Sequence, residues 1–123
     1  MKISKEHISQ YAAMLTAMGA EARLRIMRLL ISAHPDGMVV GEIQSELEIA
    51  GSTLSHHLEK LKHAGLVTVR REHQFLRYAA ATEKLEKLLS FLFEECCSRS
   101  KACQPVRQSL RPRHDRRDAG ARA

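Results

Sequence analysis

Tryptophan is absent, aromatic residues make up only 4% of the 123-residue chain, and no cysteine occurs before position 96. Any core must therefore be built from Leu, Ile, Val, Met and Ala, and a 44% apolar content is enough to build one. No run approaches the roughly 20 apolar residues of a membrane span. The opening MKISKEHISQ has no apolar centre of the kind an export signal needs. One domain with no membrane contact, in the cytoplasm, is the expectation at this length. Thiols kept reduced there serve ligand or redox chemistry rather than structural disulfides. No internal repeat is visible.

Net charge is +6, but the charge is not spread evenly. Residues 98 to 123 hold eight Lys or Arg against Asp115 and Asp118, so this segment carries the whole excess. The first 97 residues are neutral, and a nucleic-acid partner must be argued from where their charges stand. Beyond Gln104 the chain is arginine-rich and poor in apolar residues. Residues 105–123 are expected to form a disordered basic tail, after a folded domain with its sensing segment over residues 1–104. Such a tail either adds salt-dependent attraction to DNA or is a solvated extension without a role.

Periodicity places a first helix over Lys5 to Gly19, with Ile8, Tyr11, Ala12, Leu15 and Met18 at three- and four-residue steps. A second, from about Ala20 to Ala33, turns Leu24, Met27, Leu30 and Ile31 inward. Met14, Met18, Met27 and Met38 read as core filler. The HPDG turn, His34 to Gly37, precedes a short helix over Val40 to Leu47. A tight IAGS connection then leads to a fourth helix, Ser52 to His63, with Ser52 as N-cap and Ala64-Gly65 as its stop. LVTVRR (66–71) and FLRYAA (75–80) are strand-like, joined by Glu72, His73 and Gln74 as a three-residue loop. Thr82 starts a last helix that runs through Leu85, Leu88, Leu89 and Leu92 into the cysteines. The order is α-α-α-α-β-β-α, mainly α with a small β-hairpin. Helix, Gly-containing turn, helix and hairpin is the grammar of a winged helix-turn-helix.

On a helical wheel at ~100° per residue, Leu58 and Leu61 fall within ~40° of Leu54, forming one buried stripe. Ser52, Thr53, His56, Lys60 and His63 cluster opposite, Ser55 lies between the faces, and His57 sits beside the stripe. Short polar side chains on an exposed helix face suit base edges in a major groove. Lys60 and Lys62, with Arg70, Arg71 and Arg77 on the wing, suit phosphates. An ordinary solvated amphipathic helix is the competing explanation, and the adjoining wing tips the balance toward DNA.

LEIAGSTLSHHLEKL followed by HAGLVTVRREHQFLRYAA, together with GAEARLRIMRLL (19–30), resembles the ArsR/SmtB repressors over about residues 8 to 97. The shared pattern is a Ser-x-x-Ser-x-His-Leu helix, a Gly-Leu corner and a basic wing ending in Tyr. The resemblance implies a homodimeric repressor that binds an inverted-repeat operator and leaves it when metal binds. Carried over, the DNA contacts are Ser52, Thr53, Ser55 and His56, with His57 either a contact or a half-buried structural residue. Leu85, Leu88, Phe91 and Leu92 exceed what a small core covers. Pairing of the first and last helices with a partner's copies would hide them, the alternative being that both helices simply complete the monomer core.

Two of the family's inducer positions are empty here. Val39 and Gly41 stand where a Cys-x-Cys pair would be, and residues 83 to 95 contain no His and no Asp. Cys96, Cys97 and Cys103 remain. Three thiolates favour soft ions, whereas structural zinc usually takes four ligands. Within the family, this set looks like the site of an arsenite-responsive repressor, with As(III) or Sb(III) as inducer and no organic cofactor. Cd(II), Bi(III), zinc or thiol oxidation are alternatives, as is a pair of small apolar core residues. On an uninterrupted helix Cys96 and Cys103 would lie ~10.5 Å apart along the axis. One ion bound by all three therefore requires a break at SRSKA, residues 98 to 102. Arg99 and Lys101 favour the thiolate form. A thiol arsenate reductase would need Cys-x5-Arg. The residues six on from the three cysteines are Ala102, Cys103 and Ser109, so enzymatic activity is not expected.

Overall fold

A computed structural model describes residues 5–99, with side chains from residue 7 onward. These residues fall into two compact units, one up to Thr82 and one from Glu83. The first holds α1 (Lys5–Met18), α2 (Glu21–Ser32), β1 (Met38–Val39), α3 (Val40–Leu47), α4 (Gly51–His63), β2 (Val67–Glu72) and β3 (Phe75–Ala80). The helix α5 (Thr82–Phe93) leads into the second. The architecture is the expected winged helix-turn-helix, with one added strand. That strand completes an antiparallel sheet in the order β1-β3-β2.

β1 escapes sequence reading because two residues are too short to show alternation. Met38 pairs with Tyr78 and Val39 with Arg77. Gly37 makes the approach possible: its φ is +78°, and a Cβ there would collide with the Tyr78 carbonyl. The hairpin register runs from Val67 opposite Ala80 to Glu72 opposite Phe75. Its loop is therefore His73-Gln74, two residues rather than three. His73 adopts a φ of 57°, the left-handed conformation usually left to Gly or Asn in such turns.

Ile26, Met27, Leu30, Ile43, Leu54, Leu58, Leu61, Leu66 and Val67 form the centre of the first unit, with Met14, Ala17, Tyr78 and Ala80 around them. The leucine stripe of α4 is buried as its spacing requires. The inward face of α2 is corrected: Ile26 joins Met27 and Leu30, while Leu24 and Ile31 are 49% and 38% exposed. The inward face of α1 also differs, because Met14 and Ala17 are buried and the more apolar stripe of Ile8, Ala12 and Leu15 is exposed. Of the four methionines read as filler, Met14 and Met27 are buried and Met18 and Met38 are half-buried. Ala50, not Ser52, caps α4, and no side chain closes the cap. At the other end the expected stop is present: the amides of Gly65 and Leu66 bond back to the carbonyls of Lys62 and Leu61 at 2.9 and 3.0 Å.

Candidate nucleic-acid interface and thiol cluster

Burying Leu54, Leu58 and Leu61 fixes the rotation of α4 and so decides what it presents outward. Ser52, Thr53 and Ser55 are exposed on its first two turns, as is Lys62 near its end. Its outermost residues, His56, Glu59, Lys60 and His63, form one wall of an open groove of about 650 Å³; Gln10, Ala13 and Thr16 of α1 line the other. The expected contacts thus divide into an N-terminal hydroxyl group and a cationic group that shares a groove with α1. Lys60, Lys62 and His63 also stand in the last turn, where cations complement the helix dipole.

His57 is half-buried, and its Nδ1 lies 3.2 Å from Nη1 of Arg23 on α2. Arginine can only donate, so Nδ1 is the unprotonated acceptor. Nε of the same guanidinium donates to the Ala17 carbonyl near the end of α1. Partial burial, followed by the charges of Arg23, His56 and Lys60, lowers the His57 pKa below the ordinary histidine value.

The wing arginines are not equally available. Arg70 and Arg77 face each other across β2 and β3, and Glu72 joins them with salt bridges of 2.7 and 2.9 Å. Arg77 also donates to the Gly37 carbonyl at 3.2 Å, which fastens it to the base of the sheet. Hydrogen bonds from Arg77, then Arg70, hold the Glu72 carboxyl below its usual range. Arg71 is exposed, and Phe75 and Leu76 at the wing tip are 54% and 43% exposed. The sequence places Glu72 in a loop, and alternation and spacing carry no signal for its contact or for that of Arg23.

α5 ends at Phe93, before the cysteines, and does not run into them as the periodicity suggests. Residues 94–99 form successive tight turns, with Cys96 N–H bonding to the Phe93 carbonyl at 2.9 Å and Ser98 N–H to the Glu95 carbonyl at 2.9 Å. Cys97 has a φ of 61°, a left-handed conformation that no helix continues through. The chain therefore leaves the helical path upstream of the SRSKA segment expected to break it. Cys96 is a free, half-buried thiol, and its Sγ lies 3.4 Å from that of Cys97, which is disulfide-bonded and not the reduced thiol expected from the sequence. Two thiolates each about 2.3 Å from one ion sit roughly 3.4–3.8 Å apart, so this pair, once Cys97 is reduced, has the separation a shared soft ion needs. Cys103 and the basic tail lie outside the described residues. No group of three or more His, Cys, Asp or Glu suited to a metal occurs among the described residues, and no helix there is long and apolar enough to cross a membrane.

Residues 18–70 match the family model described as a helix-turn-helix domain. The chain is 31% identical to the transcriptional activator HlyU of Vibrio cholerae over 93 residues, 76% of this chain and 83% of that one. Solved HlyU from Vibrio cholerae superposes with a TM-score of 0.61, covering 76% of this chain and 99% of the other; a reduced form gives 0.59. A second relative, the "Putative arsenical resistance operon repressor ArsR2" of Halobacterium salinarum, is 37% identical over 78 residues, 63% of this chain and 64% of its own. The solution structure of a homodimeric winged helix-turn-helix DNA-binding domain from Mycobacterium bovis is 29% identical, with a TM-score of 0.59 over 76% of this chain and 89% of that one. These relatives regulate transcription and are not enzymes, in line with the missing Cys-x5-Arg loop. From the recognition helix, its wing and these likenesses together, the chain belongs to the ArsR family of winged helix-turn-helix transcriptional regulators.

Proposed function

We propose that the chain is a homodimeric repressor that reads an inverted-repeat operator and leaves it when trivalent arsenic or antimony binds Cys96, Cys97 and Cys103. The 3.4 Å separation of the Cys96 and Cys97 sulfurs carries the ligand half of this reading. The backbone reversal at Cys97 supports it as well, because it removes the straight helix that would hold Cys103 too far away. An As(III) ion takes three sulfurs and needs no fourth ligand, which matches the thiol count. Base contact falls to Ser52, Thr53, Ser55 and His56, and phosphate contact to Lys60, Lys62, Arg70, Arg71 and Arg77. The names of the relatives include both an activator and a repressor. Repression is favoured here by the likeness of the DNA-reading helix and wing to the ArsR/SmtB pattern.

A second reading rests on the same sulfurs. A disulfide-bonded Cys97 with the free Cys96 thiol against it also suits a response to oxidants, and the related HlyU has been solved in a form designated reduced. Substituting Cys103→Ser separates the two from a simple pairwise site. With three-thiol capture, arsenite no longer releases the variant from DNA at concentrations that release the parent. Unchanged release would remove Cys103 from the site.

A further inference from the structure

We propose that Arg23 is a positioning residue for the recognition helix: it fastens α4 to the end of α1 through His57, and a proton on His57 undoes the fastening and weakens sequence-selective DNA binding. Three helices meet at this one guanidinium. Arg23 stands in the first turn of α2, Nε bonds the Ala17 carbonyl of α1, and Nη1 bonds His57 Nδ1 of α4 at 3.2 Å. The buried leucines fix how α4 is rotated, but apolar contact is non-directional and tolerates sliding along the axis. A directed bond on the next-door face of α4, five residues beyond Ser52, limits that sliding. Small displacements of Ser52, Thr53 and Ser55 would misalign them with base edges while leaving phosphate attraction nearly intact.

The joint is acid-sensitive because it requires a bare Nδ1. Protonated imidazole has a donor on both nitrogens and a positive charge, so it repels Arg23 instead of accepting from it. The charged groups acting on His57 are Arg23 from α2 and His56 and Lys60 from α4 itself. Toward α1 the adjoining groove is lined by Gln10, Ala13, Thr16 and Ala17, which do not titrate, with Glu59 and His63 of α4 farther along. Because the His57 pKa lies below the usual value, the neutral joint is intact at pH 7.5. It fails as pH falls through and below the ordinary histidine range.

This deepens the DNA-binding assignment and does not depend on the thiol ligand. The test uses the full chain, a duplex that it selects from a random-sequence pool at pH 7.5, and a shuffled duplex of equal composition. Affinities are read by fluorescence anisotropy at fixed ionic strength from pH 5.5 to 8. Arg23→Gln should lose roughly tenfold on the selected duplex and little on the shuffled one, with an unchanged salt slope. Arg23→Lys should not restore the loss, since one ammonium cannot replace a planar fork that bonds two helices. In the parent chain, acidification should weaken the selected duplex while strengthening the shuffled one through added positive charge. His57→Gln, which cannot take up a proton, should lose that acid limb whatever its affinity at pH 7.5. Should Arg23→Gln melt below the assay temperature, the parent and His57→Gln pH profiles still decide. Equal losses on both duplexes with a salt slope smaller by about one would make Arg23 a phosphate contact and overturn the proposal. An acid limb that persists in His57→Gln would also overturn it. Failure to select any duplex would sink the DNA-binding assignment itself, a result distinct from either.

Discussion

Glu72 holds two arginines that would otherwise repel each other across the wing, and this sets how much positive charge the wing offers to DNA. Arg70 and Arg77 occupy opposed positions, and one carboxylate bonds both. Exposed pairs of this kind add little to stability, so the larger consequence is electrostatic. Glu72→Gln removes a negative charge and frees Arg70, whereas Arg77 keeps its bond to the Gly37 carbonyl. The expected outcome is tighter binding of non-specific duplex by a few-fold at low salt, with a steeper salt dependence. A salt titration of parent and variant checks it. The clamp is present at neutral pH and is lost only as pH falls through the lowered Glu72 pKa, because a carboxyl held below its usual range stays ionised further into acid.

At the level of elements, α4 owes its place to three leucines with almost no exposed surface. Leu58→Ala removes a side chain that is 1% exposed and leaves a cavity beneath the recognition helix. A loss of about 2–5 kcal/mol is expected, measured by urea unfolding of parent and variant. For a small domain of about 5–15 kcal/mol total stability, that is a large fraction. This stripe was legible because burial on one face imposes a 3.6-residue period, and Gly65 marked the helix end because only a left-handed residue fits there. Other features left no such trace. β1 is too short to alternate, and its existence follows from Gly37 letting the chain approach Tyr78. On α1 the apolar spacing of Ile8, Ala12 and Leu15 identified a genuine stripe, but periodicity does not say whether a stripe meets its own core or another surface. α5 stops at Phe93 because the backbone turns at residues 94–99, whereas Glu94, Glu95 and the cysteines would all fit a helix by propensity. The bonds of Arg23 and Glu72 join residues distant in sequence or facing across strands, where one-dimensional patterns are silent.

For the whole molecule, the terminal helices among the described residues leave apolar side chains uncovered: Ile8 and Leu15 on α1, and Leu89, Leu92 and Phe93 on α5, whereas Leu88, expected in surplus, is buried and Leu85 and Phe91 are half-buried. Each exposed set is the kind of surface that a second copy of the chain covers in a symmetric dimer. Leu15→Glu puts a charge into the α1 stripe without touching the buried Met14 and Ala17. Sedimentation should show the parent as a dimer and the variant shifted to monomer, with affinity for a two-half-site duplex falling by at least tenfold because one linked binding event is lost. A variant that stays dimeric with unaltered affinity would move the interface off α1. Dimerisation matters to the proposed release, since two wings held in fixed register are needed to read both half-sites.

The most direct test of thiol-governed DNA binding is a titration of the reduced full chain on its selected duplex, followed by anisotropy, with arsenite, zinc, cadmium and peroxide added separately. Near-stoichiometric arsenite is predicted to release the DNA, with zinc and peroxide leaving the complex intact. A complex unmoved by arsenite, or released by peroxide alone, would contradict the three-thiol account.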